Sequence, residues 1–356
     1  MSEFDKYIVQ GEPDKKAKAN AWQTAIGLQD VDGLKPSEYL IKTAVQHIEG
    51  DITINQVKDM LDTYYETKDV REHLDDERTE EADKVSARIT EILSEQSFSF
   101  TPDYLLRIHR RLFDGIYKHA GQLRDVNITK KEWVLNGDTV LYSNYDMLRE
   151  TLEYDFEQEK KTDYSVLNAD MAVKQICKFV SGIWQIHPFR EGNTRTTAVF
   201  TMKWLQTFGF SVDNDVFKDN SWYFRNALVR ANYNNIPKRI FATSEFLELF
   251  FRNLLFGEQN KLSNRTMLTG DSQSAIIEVS KSQNGTLNGT LNCNLDELAL
   301  LRFVKENPDA TQVEIAKHIG KSERTVKRMT PTLIERGLLE RENGKRNGKW
   351  VVKCEI

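Results

Sequence analysis

Between residues 34 and 255 apolar side chains recur at helical spacing in one segment after another, broken by one stretch of strand-forming composition. In 36–48 the inward set is Tyr39, Leu40, Ala44, Val45 and Ile48. Thr53 opens Ile54–Tyr65, striped by Val57, Met60, Leu61 and Tyr64. Glu80–Leu93 turns Val85, Ile89 and Ile92 inward, and Thr101-Pro102 starts a helix through Leu105, Ile108, Leu112 and Phe113. Further helices are predicted at about 145–160, 165–185, 193–207, 219–231 and 240–255. The interruption is 126–142, where β-branched and aromatic residues flank Asn136-Gly137-Asp138, a pattern that predicts a hairpin.

Two further segments differ in kind. Residues 257–292 contain SQNGTLNGTLN, rich in turn formers, and read as a connector. In 293–356 the predicted order is three helices (295–305, 311–319 and 322–336) and two short strands (338–341 and 349–353), the order of a winged helix-turn-helix. Pro331 lies inside the third helix, where it removes a hydrogen bond and should bend it. Residues 295–356 hold 13 Lys+Arg against 10 Asp+Glu, a net of +3 where the remainder carries −8. That sign suits phosphate contact locally, while the overall −5 argues against a protein that coats nucleic acid along its whole surface. Protein docking and homodimer formation are the other uses of such a module.

Composition narrows the setting. Three scattered cysteines (Cys177, Cys293 and Cys354) form no disulfide rhythm and suit a reducing compartment. No apolar run of about 18 residues occurs, so no membrane span is predicted, and with no signal-peptide pattern in the first residues the expected location is cytoplasmic.

Chemistry concentrates in Ile183-Trp184-Gln185-Ile186-His187-Pro188-Phe189-Arg190-Glu191-Gly192-Asn193-Thr194-Arg195-Thr196. An apolar helix ends at His187, Pro188 stops it, and a new helix opens at a glycine and an asparagine. A helix N-terminus attracts phosphate. Gly192 permits close backbone approach, and Arg195 can hold a phosphate with two hydrogen bonds. Glu191 is a hard oxygen ligand suited to Mg2+, although alone it could equally be a capping acid. His187 is suited to take a proton from an attacking hydroxyl.

His187, Phe189, Glu191, Gly192, Asn193 and Arg195 stand in the register of H-x-F-x-[D/E]-G-N-[G/K]-R-x-x-R, and the chain resembles the Fic family over roughly residues 36–255. Arg110–Phe113 followed by Ala120–Arg124 is similar to the segment that precedes the family's flap. The resemblance implies a mainly α fold: an all-helical Fic-type core with a β-hairpin flap, plus the C-terminal winged helix-turn-helix. It divides the chain into an N-terminal helical region 1–97, a core 98–256 with its flap at 126–142, a linker 257–292 and the winged module 293–356. It implies a protein adenylyltransferase, a nucleotidyltransferase that moves AMP from ATP to Ser, Thr or Tyr of a target protein held along the flap. His187 would be the base, Glu191 the Mg2+ ligand, and Gly192, Asn193, Thr194 and Arg195 the phosphate loop. Tyr233 and Asn234 are candidates for the adenine.

Two positions depart from the pattern. Thr194 replaces Gly or Lys, and Ala198 replaces the second motif arginine, which leaves Arg190 or Arg230 as the candidate replacement cation. Val45–Gly50 resembles the family's inhibitory helix, placed at about 36–49, and implies that Glu49 approaches the nucleotide site as a brake; a glutamate before a glycine cap explains the same residues. His47 is expected to be an exposed helical histidine, and His109 to belong to a charged helix face. The competing reading is a transcription regulator with altered catalysis that binds DNA through the winged module.

Overall fold

The computed structural model describes residues 3–67, 74–210, 216–269, 292–342 and 348–354. The architecture is mainly helical, with one two-stranded antiparallel sheet among the described residues. Among the described residues no helix is long and apolar enough to cross a membrane.

The chain opens with α1 (Asp5–Gln10) and α2 (Pro13–Gly27), which the apolar periodicity had not revealed. The buried face of α2 includes Asn20, Gln23 and Thr24 beside Ala19, Trp22 and Ala25, so the helix is inserted without an apolar stripe. It packs against α5 and α10, and its last residue, Gly27, lies so close to the Lys218 backbone that a Cβ would overlap it. A 3-10 turn, Leu28–Asp32, then ends at Gly33 in the left-handed region (φ +66°).

α3 (Glu38–Glu49) is capped by Ser37, and α4 (Ile54–Glu66) carries a Thr53/Gln56 capping box. With α1 and α2 they enclose a smaller apolar core around Trp22, Leu40, Ala44, Val57 and Leu61. α5 (Leu74–Ser94) joins this layer to the main core, formed with α6 (Pro102–Phe113), α7 (Leu148–Lys160), α8 (Ala169–Ile186), α9 (Asn193–Gln206), α10 (Val216–Ala231) and α11 (Glu245–Phe256). Phe100, Phe156, Phe179, Phe200 and Trp204 pack together within it in tilted and edge-to-face pairs.

The segment expected to form a hairpin doubles back at Asn136 and Gly137, both with positive φ, as the Asn-Gly signal requires. It makes no strand ladder, however. The Glu132 N–H donates to the Asp138 carbonyl at 2.9 Å, and a 3-10 turn, Trp133–Leu135, fills the space between. Residues 257–269 lie against the core rather than away from it. Met267 is buried, and the Thr269 N–H donates to the Val134 carbonyl at 2.8 Å. The rest of the connector, 270–291, lies outside the described residues.

The C-terminal helices are α12 (Leu295–Glu306), α13 (Gln312–His318) and α14 (Glu323–Glu335), followed by the strands β1 (Leu339–Glu342) and β2 (Lys349–Val352). α14 continues through Pro331, which sits on an exposed position. This module packs directly on the helical core. Arg302 donates to the carbonyls of Leu254 and Leu255, and a Cβ on Gly209 (φ +81°) would come within 2.7 Å of the Ile319 Cα.

Candidate active site

Helix α8 ends because His187 adopts the left-handed conformation (φ 50°, ψ 59°) in which Pro188 can follow without continuing the helix. That strained position is held from outside. Arg124, almost fully buried, donates from Nε to the His187 carbonyl at 2.8 Å and from Nη1 to the Val126 carbonyl at 2.7 Å, while its own N–H bonds to the Pro188 carbonyl at 2.8 Å. One guanidinium thus fixes the base of the 126–142 loop to the turn after α8.

The turn itself is clamped by Asn193. Its Oδ1 accepts from the Phe189 N–H at 3.0 Å and its Nδ2 donates to the Phe189 carbonyl at 2.7 Å. Phe189 stacks on His109 with ring centroids 3.7 Å apart. His109 is fully buried, which corrects its expected place on a charged face. Its Nδ1 accepts from the Gly121 N–H at 2.8 Å, so the neutral ring donates from Nε2 to the Glu191 carbonyl at 3.1 Å. Burial pushes the His109 imidazole down to about 3. A histidine neutral in the fold but protonated when unfolded lowers stability as pH falls below about 6.5, by up to about 1.4 kcal/mol per pH unit. Thermal melts between pH 7.5 and 5.5 should therefore fall steeply, and His109→Gln should flatten that slope even if it melts lower throughout.

Gly192 has φ 73°, and a Cβ there would overlap the Phe113 ring, so no other residue fits without displacing α6. It opens α9, whose first turn carries no side-chain cap. The N–H groups at that end are therefore left to an anion. Thr194 points the other way, accepting from Trp184 Nε1 at 3.0 Å.

His187 stands at the end of α8, one short turn before this helix start. Nδ1 lies 3.3 Å from the Trp184 carbonyl, which makes it the protonated nitrogen of a neutral ring. Nε2, buried, then carries a bare lone pair and has no hydrogen-bond partner. Burial holds the imidazole well below its usual value, and the charges of Lys130, Arg124 and Arg225 add to that. Tyr142, from the loop, covers the ring at 4.2 Å, and its hydroxyl lies 3.3 Å from Glu132, which is paired with Arg225 at 2.8 Å. Glu191 has its side chain about half exposed and accepts from Lys130 of the loop at 2.9 Å.

Arg195 departs from its expected role. It is fully buried and points away from solvent into carboxylates, with Nη2 on Glu81 at 2.5 Å and Nε 2.8 Å from Asp32. Gln29 and Tyr117 complete the set at 3.0 and 3.2 Å. Burial alone would lower its pKa, but Asp32, Tyr117 and Glu81 outweigh it and raise it. Glu49 is not among these partners. It ends α3, which packs on α2 and α4, and its carboxylate is taken by Lys15 at 2.6 Å and by the Tyr7 hydroxyl. Among the described residues, the acids facing the motif arginine are therefore Asp32 and Glu81. Sequence gave little sign of either, since Asp32 sits in an ordinary turn and Glu81 in a run of charges.

The remaining candidates separate. The Tyr233 hydroxyl donates to Asp138 at 2.6 Å and anchors the loop, and Asn235 joins it at 3.0 Å. Asn234 is exposed and accepts from the Ala242 N–H at 2.9 Å. Ala198 is fully buried in the core. Arg190 pairs with Asp125, and Arg230 has Nε and Nη1 buried with no hydrogen-bond partner. His47, expected on the surface, is nearly buried and accepts at Nδ1 from Trp22 Nε1 at 3.0 Å.

Residues 99–205 match the Fic/DOC family, and residues 297–340 match the family described as winged helix-turn-helix DNA-binding. The chain is 27% identical over 120 residues to the protein adenylyltransferase VbhT of Bartonella schoenbuchensis. That match covers 33% of this chain and about a quarter, 24%, of the relative's length. A crystal structure of a Fic family protein from Desulfovibrio desulfuricans G20 aligns over 98% of this chain and 92% of its own, with a TM-score of 0.43 and 15% identity.

Proposed function

We propose, from the premise that residues 99–205 are a Fic/DOC family domain and residues 297–340 a winged helix-turn-helix, that this chain is a protein adenylyltransferase using ATP. Two observations carry the reading: the bare, buried Nε2 lone pair of His187 at the end of α8, and the uncapped start of α9 five residues further on. In the proposed reaction a target hydroxyl oxygen attacks the α-phosphorus of ATP. His187 Nε2 takes the hydroxyl proton, the bond to the β-phosphate oxygen breaks, and pyrophosphate leaves. The N–H groups of Asn193, Thr194 and Arg195 at the α9 start would hold phosphate oxygens.

The Glu191 carboxylate fits Mg2+, which takes one or two carboxylates together with substrate phosphates. No cluster of three ligating side chains occurs among the described residues, so the nucleotide would supply most of the ligands. Bound Mg2+ would neutralise charge on the phosphates. Lys130 would have to release Glu191 first, which links metal binding to movement of the 126–142 loop.

The engagement of Arg195 suggests that the brake is set by Glu81 and Asp32 in place of Glu49. Glu81→Gln is expected to raise AMP incorporation about tenfold, the equivalent of about 1.4 kcal/mol, while lowering the melting temperature. Unchanged incorporation with the lower melting temperature would assign Arg195 to the scaffold. Glu49→Gly is expected to change neither rate nor nucleotide affinity.

DNA binding by the winged module is a second activity that one observation favours. Arg324, Lys327 and Arg328 are exposed along α14, and among the described residues Lys327 pairs within its own helix, with Glu323 at 2.7 Å. Arg328→Ala is expected to weaken duplex binding about tenfold in a fluorescence anisotropy titration. Affinity that is the same for the variant, or independent of salt, counts against it.

A further inference from the structure

A pocket lies away from the 187–195 loop, where the N-terminal helices, the core and the winged module meet. Its volume is about 500 Å³, in the range that accepts a small molecule. α2 contributes Ala17, Lys18 and Ala21, α3 contributes His47, α9 contributes Lys203, and α13 contributes His318.

The polar groups in it are unusual for packing alone. Lys203 is almost fully buried, and its ammonium donates to the Glu95 carbonyl as its one hydrogen bond among the described residues. It forms no ion pair there. An ammonium has three N–H groups, so a buried one with a single acceptor is an incomplete site. The acid whose charge acts on it, Glu95, spends both carboxylate oxygens on Arg111, at 2.5 and 2.8 Å. Asp14, also on the wall, is paired with Lys18 at 2.8 Å. His47 accepts at Nδ1 from Trp22, which leaves Nε2–H as the donor of the neutral ring. Burial lowers the pKa of both Lys203 and His47. Phe98, Phe210 and Leu93 add apolar wall beside these donors.

We propose that this pocket is a binding site for a small organic anion, whose carboxylate or phosphate meets Lys203 and His47 while its apolar body lies against Phe98 and Phe210. An anion would supply the acceptors that the ammonium lacks. Because the walls come from all three parts of the chain, occupancy would fasten the winged module to the core.

Isothermal titration calorimetry of the full chain tests this with two probes, benzoate and inorganic phosphate, which separate the carboxylate from the phosphate source. Saturable binding of at least one probe is expected. Lys203→Met keeps the length of the stem and removes the charge, and should weaken that binding at least tenfold. Ala17 is exposed at the rim, so Ala17→Phe should block entry without touching the core, and serves if Lys203→Met does not fold. Two results overturn the proposal: no saturable binding of either probe up to millimolar concentration, or binding that survives both substitutions and so belongs to the α9 start.

Discussion

Arg195→Met is expected to lower the free energy of unfolding by about 3–5 kcal/mol, the cost of stripping one partner from a buried ion network. The side chain is 1% exposed and faces Asp32 and Glu81 at 2.8 and 2.5 Å, so its loss leaves two acids side by side with Gln29 and Tyr117. The cation also lies over the Phe113 ring at 4.8 Å, against which Gly192 is packed, so the damage should spread to the loop. Urea unfolding of the native chain, Arg195→Met and the triple variant Asp32→Asn/Glu81→Gln/Arg195→Met measures it. The triple variant should regain part of the loss, because no uncompensated charge remains. A loss below about 1 kcal/mol in the single variant, the level of an exposed pair, would mean that the network is open to solvent.

How far the sequence foretold this arrangement depends on what kind of signal each part carries. Helices with an apolar stripe and a capping residue, such as α3, α4, α6 and α8, announce themselves, and each begins at a Ser, Thr or Asn side chain that accepts from the first turn. The winged module was equally legible, because two glycines and two strand-like runs punctuate it. α2 was not, because it buries Asn20, Gln23 and Thr24 and so breaks the rule that inward residues are apolar. The hairpin at 126–142 was half legible. Asn136-Gly137 set the turn, but side-chain anchors (Tyr233 on Asp138, Arg225 on Glu132) replace the ladder that strands would have made.

At the proposed site, the motif pointed to His187, Glu191 and the α9 start. It could not reveal which groups the rest of the chain sends there. His109 looked like one member of an Arg-rich face, yet it is buried against Phe189, a residue 80 positions further along the chain. Asp32 and Glu81 come from 163 and 114 residues away from Arg195 in sequence, a pairing that no local pattern encodes. Glu49 fell on the wrong side for the same reason: a glutamate before Gly50 is also an ordinary helix end, and the structure uses it as one.

The proposed transfer depends on His187 Nε2 acting as a base toward a hydroxyl at ATP. Removing a positioned general base typically costs about 10²–10⁴ in rate. The direct measurement is intact mass of the native chain and of His187→Ala after incubation with ATP and Mg2+, alone and with candidate target proteins. The account predicts addition of AMP to the native chain or a target, slowed at least a hundredfold in His187→Ala while ATP still binds. AMP incorporation at the same rate in both proteins, or none by the native chain and by Glu81→Gln alike, would contradict it.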